Sequence, residues 1–392
     1  MSFDFDRSID RRGSSSAKWE LYPEDVLPMW VADMDFRSPE PLIQALQERA
    51  LHGSFGYTKP PQRLKELICA RMDRLYGWQI TPDDIMVLPG LVVAINVLCR
   101  ALGEPGDRVL TPSPAYPPFL SAPPNQQRLC DTVELTATTQ GATISYELDL
   151  DRLRAACTPQ TRLFLLSHPH NPIGLQYSPA QLAQIGAICA EHDAIICSDE
   201  IHCELPLGDT QHVPFAVAAP EFADRCVTLI APSKTFNLPG LGCGFAIVTN
   251  PALRSLIQKT AAGIVPHVNA FGIAGSMVAF EQCDDWLHAL RAYLTANRDA
   301  YVAYIAEHLP QLRTTVPQAT YLGWIDCREA GIEGDPYTFF LEKAKVALSN
   351  GASFGPGGEG FVRFNFGCPR AQMIAALDRM RDALQRENLS PA

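Results

Sequence analysis

A chain of 392 residues exceeds what one typical core organises, so two domains are expected. With 47% hydrophobic and 19% charged residues the composition is that of a globular protein, and a net charge of −11 argues against a general nucleic-acid or anionic-membrane surface. No apolar run approaches the roughly 20 residues that span a bilayer, and Met1–Gly13 lacks the apolar stretch of a signal peptide, so the expected address is the cytoplasm.

In chain order, the first informative segment is Ile85–Leu88, a short apolar run ended by Pro89-Gly90. Leu91, Ile95 and Leu98 then mark a helical face. A glycine turn opening a helix presents backbone N–H groups and the positive end of the helix dipole, which suits a phosphate. A second run, Thr161–Ser167, leads into the turn-forming His168-Pro169-His170-Asn171-Pro172-Ile173-Gly174. Ser178 followed by Pro179 predicts a helix start, and Leu182, Ile185, Ile188 and Cys189 continue at helical spacing. The run Ala194–Cys197 ends in Ser198-Asp199-Glu200-Ile201-His202, and Cys226–Ala231 leads to Ser233-Lys234-Thr235-Phe236-Asn237.

Fully apolar strands separated by helices predict an α/β fold with an open parallel sheet. Ligands of such sheets bind beyond the carboxyl ends of the strands, where Asn171, Asp199 and Lys234 all fall. A lysine able to form a Schiff base and an acid able to keep a pyridine nitrogen protonated suit a pyridoxal-phosphate site. Beyond residue 285 the pattern changes. It predicts a helix from Trp286 to His308, a strand over Ala319–Ile325, a helix over Pro336–Leu348, a strand over Phe361–Phe366 and a last helix over Arg370–Gln385. The expected division is a large domain over 49–285 and a smaller α+β domain of 1–48 with 286–392.

The twelve cysteines run from Cys69 to Cys368 without a CxxC pair, and several sit inside apolar patterns, so reduced buried thiols are expected.

These residues resemble the fold-type I pyridoxal-phosphate enzymes of the class I/II aminotransferase superfamily, and within it the MalY/PatB-type cystathionine β-lyases, or C–S lyases. The likeness spans essentially the whole chain. Its marks are Met29-Trp30-Val31-Ala32-Asp33-Met34-Asp35-Phe36, Gly56-Tyr57-Thr58, Pro114-Ala115-Tyr116, the Asn171 turn, Ser198–His202, Ser233–Asn237 and Val362-Arg363-Phe364-Asn365. The resemblance implies a large domain built on a mainly parallel seven-stranded sheet, plus the smaller domain. It implies that Lys234 carries the cofactor and acts as acid/base, that Asp199 faces the ring nitrogen, and that Asn171 bonds the phenolic oxygen. Tyr116 would stack on the ring, Gly90, Leu91, Val92 and Ser233 would hold the phosphate, and His202 would lie by the phenolic oxygen, where aminotransferases carry a tyrosine. Arg363 would bind the substrate carboxylate, with backbone groups around Ala32-Asp33 closing the pocket. Tyr57 would reach the phosphate of a neighbouring subunit, which implies a homodimer with shared sites acting on a small amino acid.

Taken singly these residues have plainer readings: a surface lysine, a helix N-cap at Asp199, a turn at Asn171-Pro172, packing at Tyr116, a salt bridge at Arg363. Their register at several strand ends favours the cofactor site. His168, His170, Cys197, His202 and Cys203 could ligate zinc by type, but they lack closed spacing and an HExxH helix, so no metal is expected. An aminotransferase shares the Asn-Asp-Lys-Arg set and is the alternative reading; a purely regulatory role is disfavoured by the full catalytic set. One departure concerns the phosphate: Gly240-Leu241-Gly242-Cys243-Gly244 stands where many relatives carry a basic residue. Which thiol leaves is not legible.

Overall fold

The computed structural model describes residues 3–387. Its central sheet has seven strands: β1 Ile85–Leu88, β2 Arg108–Ser113, β3 Leu129–Glu134, β4 Thr161–Ser167, β5 Ile195–Asp199, β6 Cys226–Ile230 and β7 Gly244–Ile247. Their order is β1-β7-β6-β5-β4-β2-β3. Only β7 runs antiparallel, between β1 and β6; every other pairing in the sheet is parallel.

The inner strands β4, β5, β6 and β7 are mostly apolar because helices cover both faces, whereas the edge strand β3 carries Asp131 and Glu134. On β4, Leu163 and Leu165 join a core with Ile95 and Leu98 of helix α1 (Leu91–Ala101), whereas Phe164 and Leu166 point the other way, toward Leu182 and Ile185. That strict alternation is the two-residue period of a pleated strand buried on both sides. The helix over Pro179–Glu191 starts where the sequence predicts it. Ser178 and Gln181 form a reciprocal capping box, and Pro179 occupies the first turn.

A second, six-stranded sheet runs Ser349–Asn350, Phe361–Asn365, Leu322–Asp326, Arg313–Thr314, Thr143–Glu147, Thr136–Gln140. The hairpin at 136–147 lies between β3 and β4 in sequence, yet it joins this sheet through Thr143 beside Thr314. The long helix Asp284–His308 and the last helix Arg370–Arg386 pack together; Tyr304 of the first donates to Asp378 of the second.

Two predicted elements change. The expected strand at Ala319–Ile325 begins only at Leu322, because Thr320 is left-handed (φ 76°) and its hydroxyl accepts the Leu322 N–H. The helix expected over Pro336–Leu348 stops at Ala344, where Lys345 turns left-handed (φ 56°). Val346-Ala347 then pairs in parallel with Leu27-Pro28, so tertiary pairing overrides the local pattern and ties the N-terminal segment down. All twelve cysteines are free, and all but Cys69 and Cys130 are buried.

The N-terminal segment is further anchored at Asp35. This buried carboxylate accepts from Arg11 (2.8 Å), Lys18 (2.7 Å), Trp19 (2.8 Å) and Gln372 (2.9 Å). Burial alone would raise its pKa, but the charge and hydrogen bond of Lys18, with Trp19 and Arg11, hold it below the usual range. The stabilisation is therefore present above the ordinary carboxylate pKa and is lost as pH falls through the depressed value. Asp35→Ala strands the buried Lys18 ammonium and should cost about 3–5 kcal/mol in urea unfolding. A loss under about 1 kcal/mol would show that the cluster holds nothing together.

Candidate active site

Five strand ends of the central sheet open onto one cavity of about 260 Å3. β1 leads to Gly90, β2 to Tyr116, β4 to Asn171, β5 to Asp199 and β6 to Lys234. Parallel strands force this gathering, since their carboxyl ends lie on one edge. The second sheet contributes Arg363, from the middle of Phe361–Asn365.

Each turn has a local reason. The Asn171 turn is closed by the Gly174 N–H on the His170 carbonyl (2.7 Å) and by Ser167 Oγ, which accepts the Asn171 N–H at 3.2 Å. Gly174 is left-handed (φ 77°), and a Cβ there would lie 2.6 Å from Pro317, so only glycine fits. At Gly90 a Cβ would meet nothing within 4 Å: the backbone at the start of α1 faces open space, with the N–H groups of an 11-residue helix behind it.

Lys234 is half-buried, and its Nζ donates to the Ala32 carbonyl at 2.7 Å. Burial, and then the charge of Arg363, lower its pKa to about 8 against the opposing pull of Asp33 and Asp199. Asp199 moves the other way, to about 7, chiefly through burial, although the Ile201 N–H (3.2 Å) and Lys234 favour its charged form. Both values lie near neutrality, and for Lys234 that suits a general base.

Arg363 is buried without a carboxylate partner. Its Nη1 donates to Asn171 Oδ1 (3.0 Å), and Nη2 donates to the Trp30 carbonyl (3.0 Å) and Ser349 Oγ (3.1 Å). Nε has no acceptor. Burial lowers its pKa to about 10, opposed by Tyr116 and Tyr321, and the guanidinium rests on the Phe354 ring at 5.0 Å. His202 is buried with Nδ1 unpartnered, its ring edge-on to Tyr321. Burial, with the charges of Lys234 and Arg363, pushes its pKa down to about 3, so it is neutral.

Of the residues singled out from sequence, Gly90, Leu91, Val92, Tyr116, Asn171, Asp199, His202, Ser233, Lys234, Arg363 and Ala32 line the cavity. Asp33 and Tyr57 do not. The Asp33 side chain pairs with Arg11 (2.7 Å), and its carbonyl accepts from Asn365 and Lys18. Tyr57 is fully exposed, on a stretch without regular structure. Ser167, Trp30, Ser349 and Tyr321 were missed. Ser167 ends its strand as Asp199 ends β5, a signal within reach of sequence reading; Trp30 lies inside the Met29–Phe36 motif, whereas Ser349 and Tyr321 arrive from distant segments with no motif of their own.

Among the described residues no three His, Cys, Asp or Glu side chains gather as metal ligands. The histidines of the zinc reading are turned apart: His168 Nε2 lies 3.1 Å from the Val213 carbonyl and His170 Nε2 2.8 Å from that of Pro114. No helix among the described residues is long and apolar enough to cross a membrane.

Comparison with known proteins agrees with this geometry. The model of the family "Aminotransferase class I and II" matches residues 24–380. Cystathionine beta-lyase PatB of Bacillus subtilis (strain 168) is 38% identical, over 97% of this chain and 99% of its own. Protein MalY of Escherichia coli (strain K12) is 30% identical, over 98% and 99%. The crystal structure of cystalysin from Treponema denticola, which contains pyridoxal 5'-phosphate, superposes with a TM-score of 0.93 at 30% identity, covering 99% of this chain and all of that one. With the fold, the strand-end site and these likenesses in agreement, the chain belongs to the class I and II aminotransferase family, in its fold-type I branch with the MalY/PatB-type proteins.

Proposed function

We infer that this protein is a pyridoxal-phosphate-dependent carbon–sulfur β-lyase that cleaves cystathionine or a related S-substituted cysteine to a thiol, pyruvate and ammonia. The observation that carries the reading is the presence of Lys234, Asp199, Asn171 and Arg363 around one cavity. The names of PatB and of the cystathionine beta-lyase of Corynebacterium glutamicum favour lyase over aminotransferase.

The residues fit the cofactor. Asp199 can face a protonated ring nitrogen, the unpartnered His202 Nδ1 and Asn171 are available to the phenolic oxygen, and Tyr116 offers a ring face. Gly90, Leu91, Val92 and Ser233 suit a phosphate at the start of α1. When bound, pyridoxal phosphate supplies the electron sink for a carbanion at the substrate Cα.

The chain supplies the rest. Arg363 fixes the substrate α-carboxylate, which provides the counter-charge its fork lacks and gives Nε an acceptor. Lys234, with its pKa lowered to about 8, takes the Cα proton onto Nζ. The Cβ–S bond then breaks, its electron pair leaves with sulfur, and the thiolate gains a proton. Water hydrolyses the remaining enamine to pyruvate and ammonia. Transamination shares the proton abstraction and differs afterwards, so release of pyruvate from cystathionine without an added keto acid separates the two readings.

Lys234→Ala should abolish the visible absorbance of the bound cofactor and lower pyruvate release by about 1000-fold. Retained turnover in that variant would overturn the assignment.

We also propose a homodimer in which Tyr57 reaches the partner's cofactor phosphate. Tyr57 follows exposed Phe55 and Leu51, the last residue of the helix Glu40–Leu51, and exposed apolar groups of this kind mark an interface. Sedimentation should give twice the 43.0 kDa chain mass. Mixed Lys234→Ala and Tyr57→Ala subunits should recover about a quarter of the wild-type rate, because half of the dimers then carry one intact site. A mixture no more active than its parents excludes sharing.

A further inference from the structure

The substrate's distal end has its own space. A second cavity of about 400 Å3 shares Val31, Tyr116 and Arg363 with the first. The two spaces thus adjoin at Arg363, and a substrate whose α-carboxylate sits there can extend into the second beyond Cβ.

Aromatic rings from four separate segments form its walls. Tyr22 and Trp30 meet edge to face, with centroids 6.1 Å apart at 87°, and the Tyr22 hydroxyl lies 3.1 Å from that of Tyr337. Phe354 is buried beneath the Arg363 guanidinium. Apart from the Tyr116 hydroxyl, the polar side chains here are already engaged. Ser349 Oγ donates to the Trp30 carbonyl (2.9 Å) and accepts from Arg363. Asn350 Nδ2 donates to Asp335 (3.3 Å), while its Oδ1 accepts the Ala352 N–H (2.9 Å). Among the described residues Arg363 is the only charged group lining this cavity, and the α-carboxylate claims it.

We propose that this vestibule selects cysteines whose sulfur carries an uncharged, flat apolar group, and disfavours those ending in a second amino-acid zwitterion. The proposal rests on the lyase reading and narrows it. Flat rings gain edge and face contacts with the walls. The far ammonium and carboxylate of cystathionine or cystine would give up water and find no counter-charge.

Carbon isosteres that cannot lose a thiol test binding apart from turnover. L-homophenylalanine places a phenyl ring beyond the sulfur position, whereas L,L-2,7-diaminosuberate carries cystathionine's second zwitterion. Titrated into the holoenzyme and followed by the cofactor's visible absorbance, the first should bind about 30-fold more tightly. Equal affinities or the reverse order overturn the proposal. Tyr337→Ala should shrink the ratio to about threefold, and Tyr337→Arg, which adds a cation to the wall, should bring it to about one or below. A ratio unmoved in both variants also overturns it.

Turnover supplies the separate arm. Pyruvate release from S-benzyl-L-cysteine should exceed that from L-cystathionine by about 10-fold in kcat/KM. Pyruvate from neither, with the binding order intact, removes the lyase reading while the vestibule's preference stands.

Discussion

The site depends on one stretch of main chain, Trp30–Asp33, whose carbonyls are held between the two sheets. The Trp30 carbonyl accepts from Arg363, and that of Val31 from Asn365. Ala32 offers one oxygen to both Lys234 (2.7 Å) and Tyr321 (3.0 Å). Asp33 accepts from Asn365 and Lys18. Lys234 belongs to the central sheet's edge, while Arg363, Asn365 and Tyr321 belong to the second sheet or its approach. The segment is thus the seam across which base and carboxylate clamp are held in one geometry. Its position follows from pairing upstream, where Leu27-Pro28 lies beside Val346-Ala347, and from the Asp35 cluster downstream. A small displacement here moves both ends of a substrate at once, and rate is sensitive to such shifts.

The electrostatics follow from burial with few counter-charges. An arginine this deep normally faces a carboxylate, as Arg71 does with Glu204 and Asp284 elsewhere in the molecule. Arg363 instead has three neutral acceptors, which fix its orientation and leave its charge uncompensated. The arrangement is costly in the free protein and favours a ligand anion. The same charge helps to lower the pKa of Lys234 and that of His202. One residue thereby serves anion binding and, through space, readiness of the base. Burial leads at Asp199 as it does at Lys234 and His202, but Glu200 and Lys234, not Arg363, supply the charges that act on it.

Much of this was legible in the sequence, for a physical reason. Strands buried on both faces leave continuous apolar runs, and the residue after such a run lies at a parallel sheet's ligand edge, so Asn171, Asp199 and Lys234 could be found singly and then read together. Gly90 followed from the same logic. Long-range pairing was not legible. Nothing local announces that 136–147 joins a strand near residue 314, or that Val346-Ala347 leaves a helical pattern to pair with Leu27-Pro28. Asp33 illustrates the limit: its place in the motif was visible, but the ion pair that turns its side chain toward Arg11 depends on a fold contact. The vestibule was invisible for the same reason, since Tyr22, Trp30, Tyr337 and Phe354 meet only in three dimensions.

The phosphate end of the cavity shows how this chain differs from a charge-rich site. Gly242 and Cys243 line it, and the charged groups lining the cavity are Asp199, Lys234 and Arg363. A phosphate at Gly90 would therefore be met by the N–H groups and dipole of α1 and by the Ser233 hydroxyl. A helix terminus contributes only about 0.3–2 kcal/mol to an anion. Each further hydroxyl then counts for more than it would beside an arginine, and in the proposed dimer the fully exposed Tyr57 would offer one across the subunit boundary. In the proposed dimer, cofactor retention and subunit association are thus linked: whatever binds the associated form better than the free subunit shifts association by the same free energy.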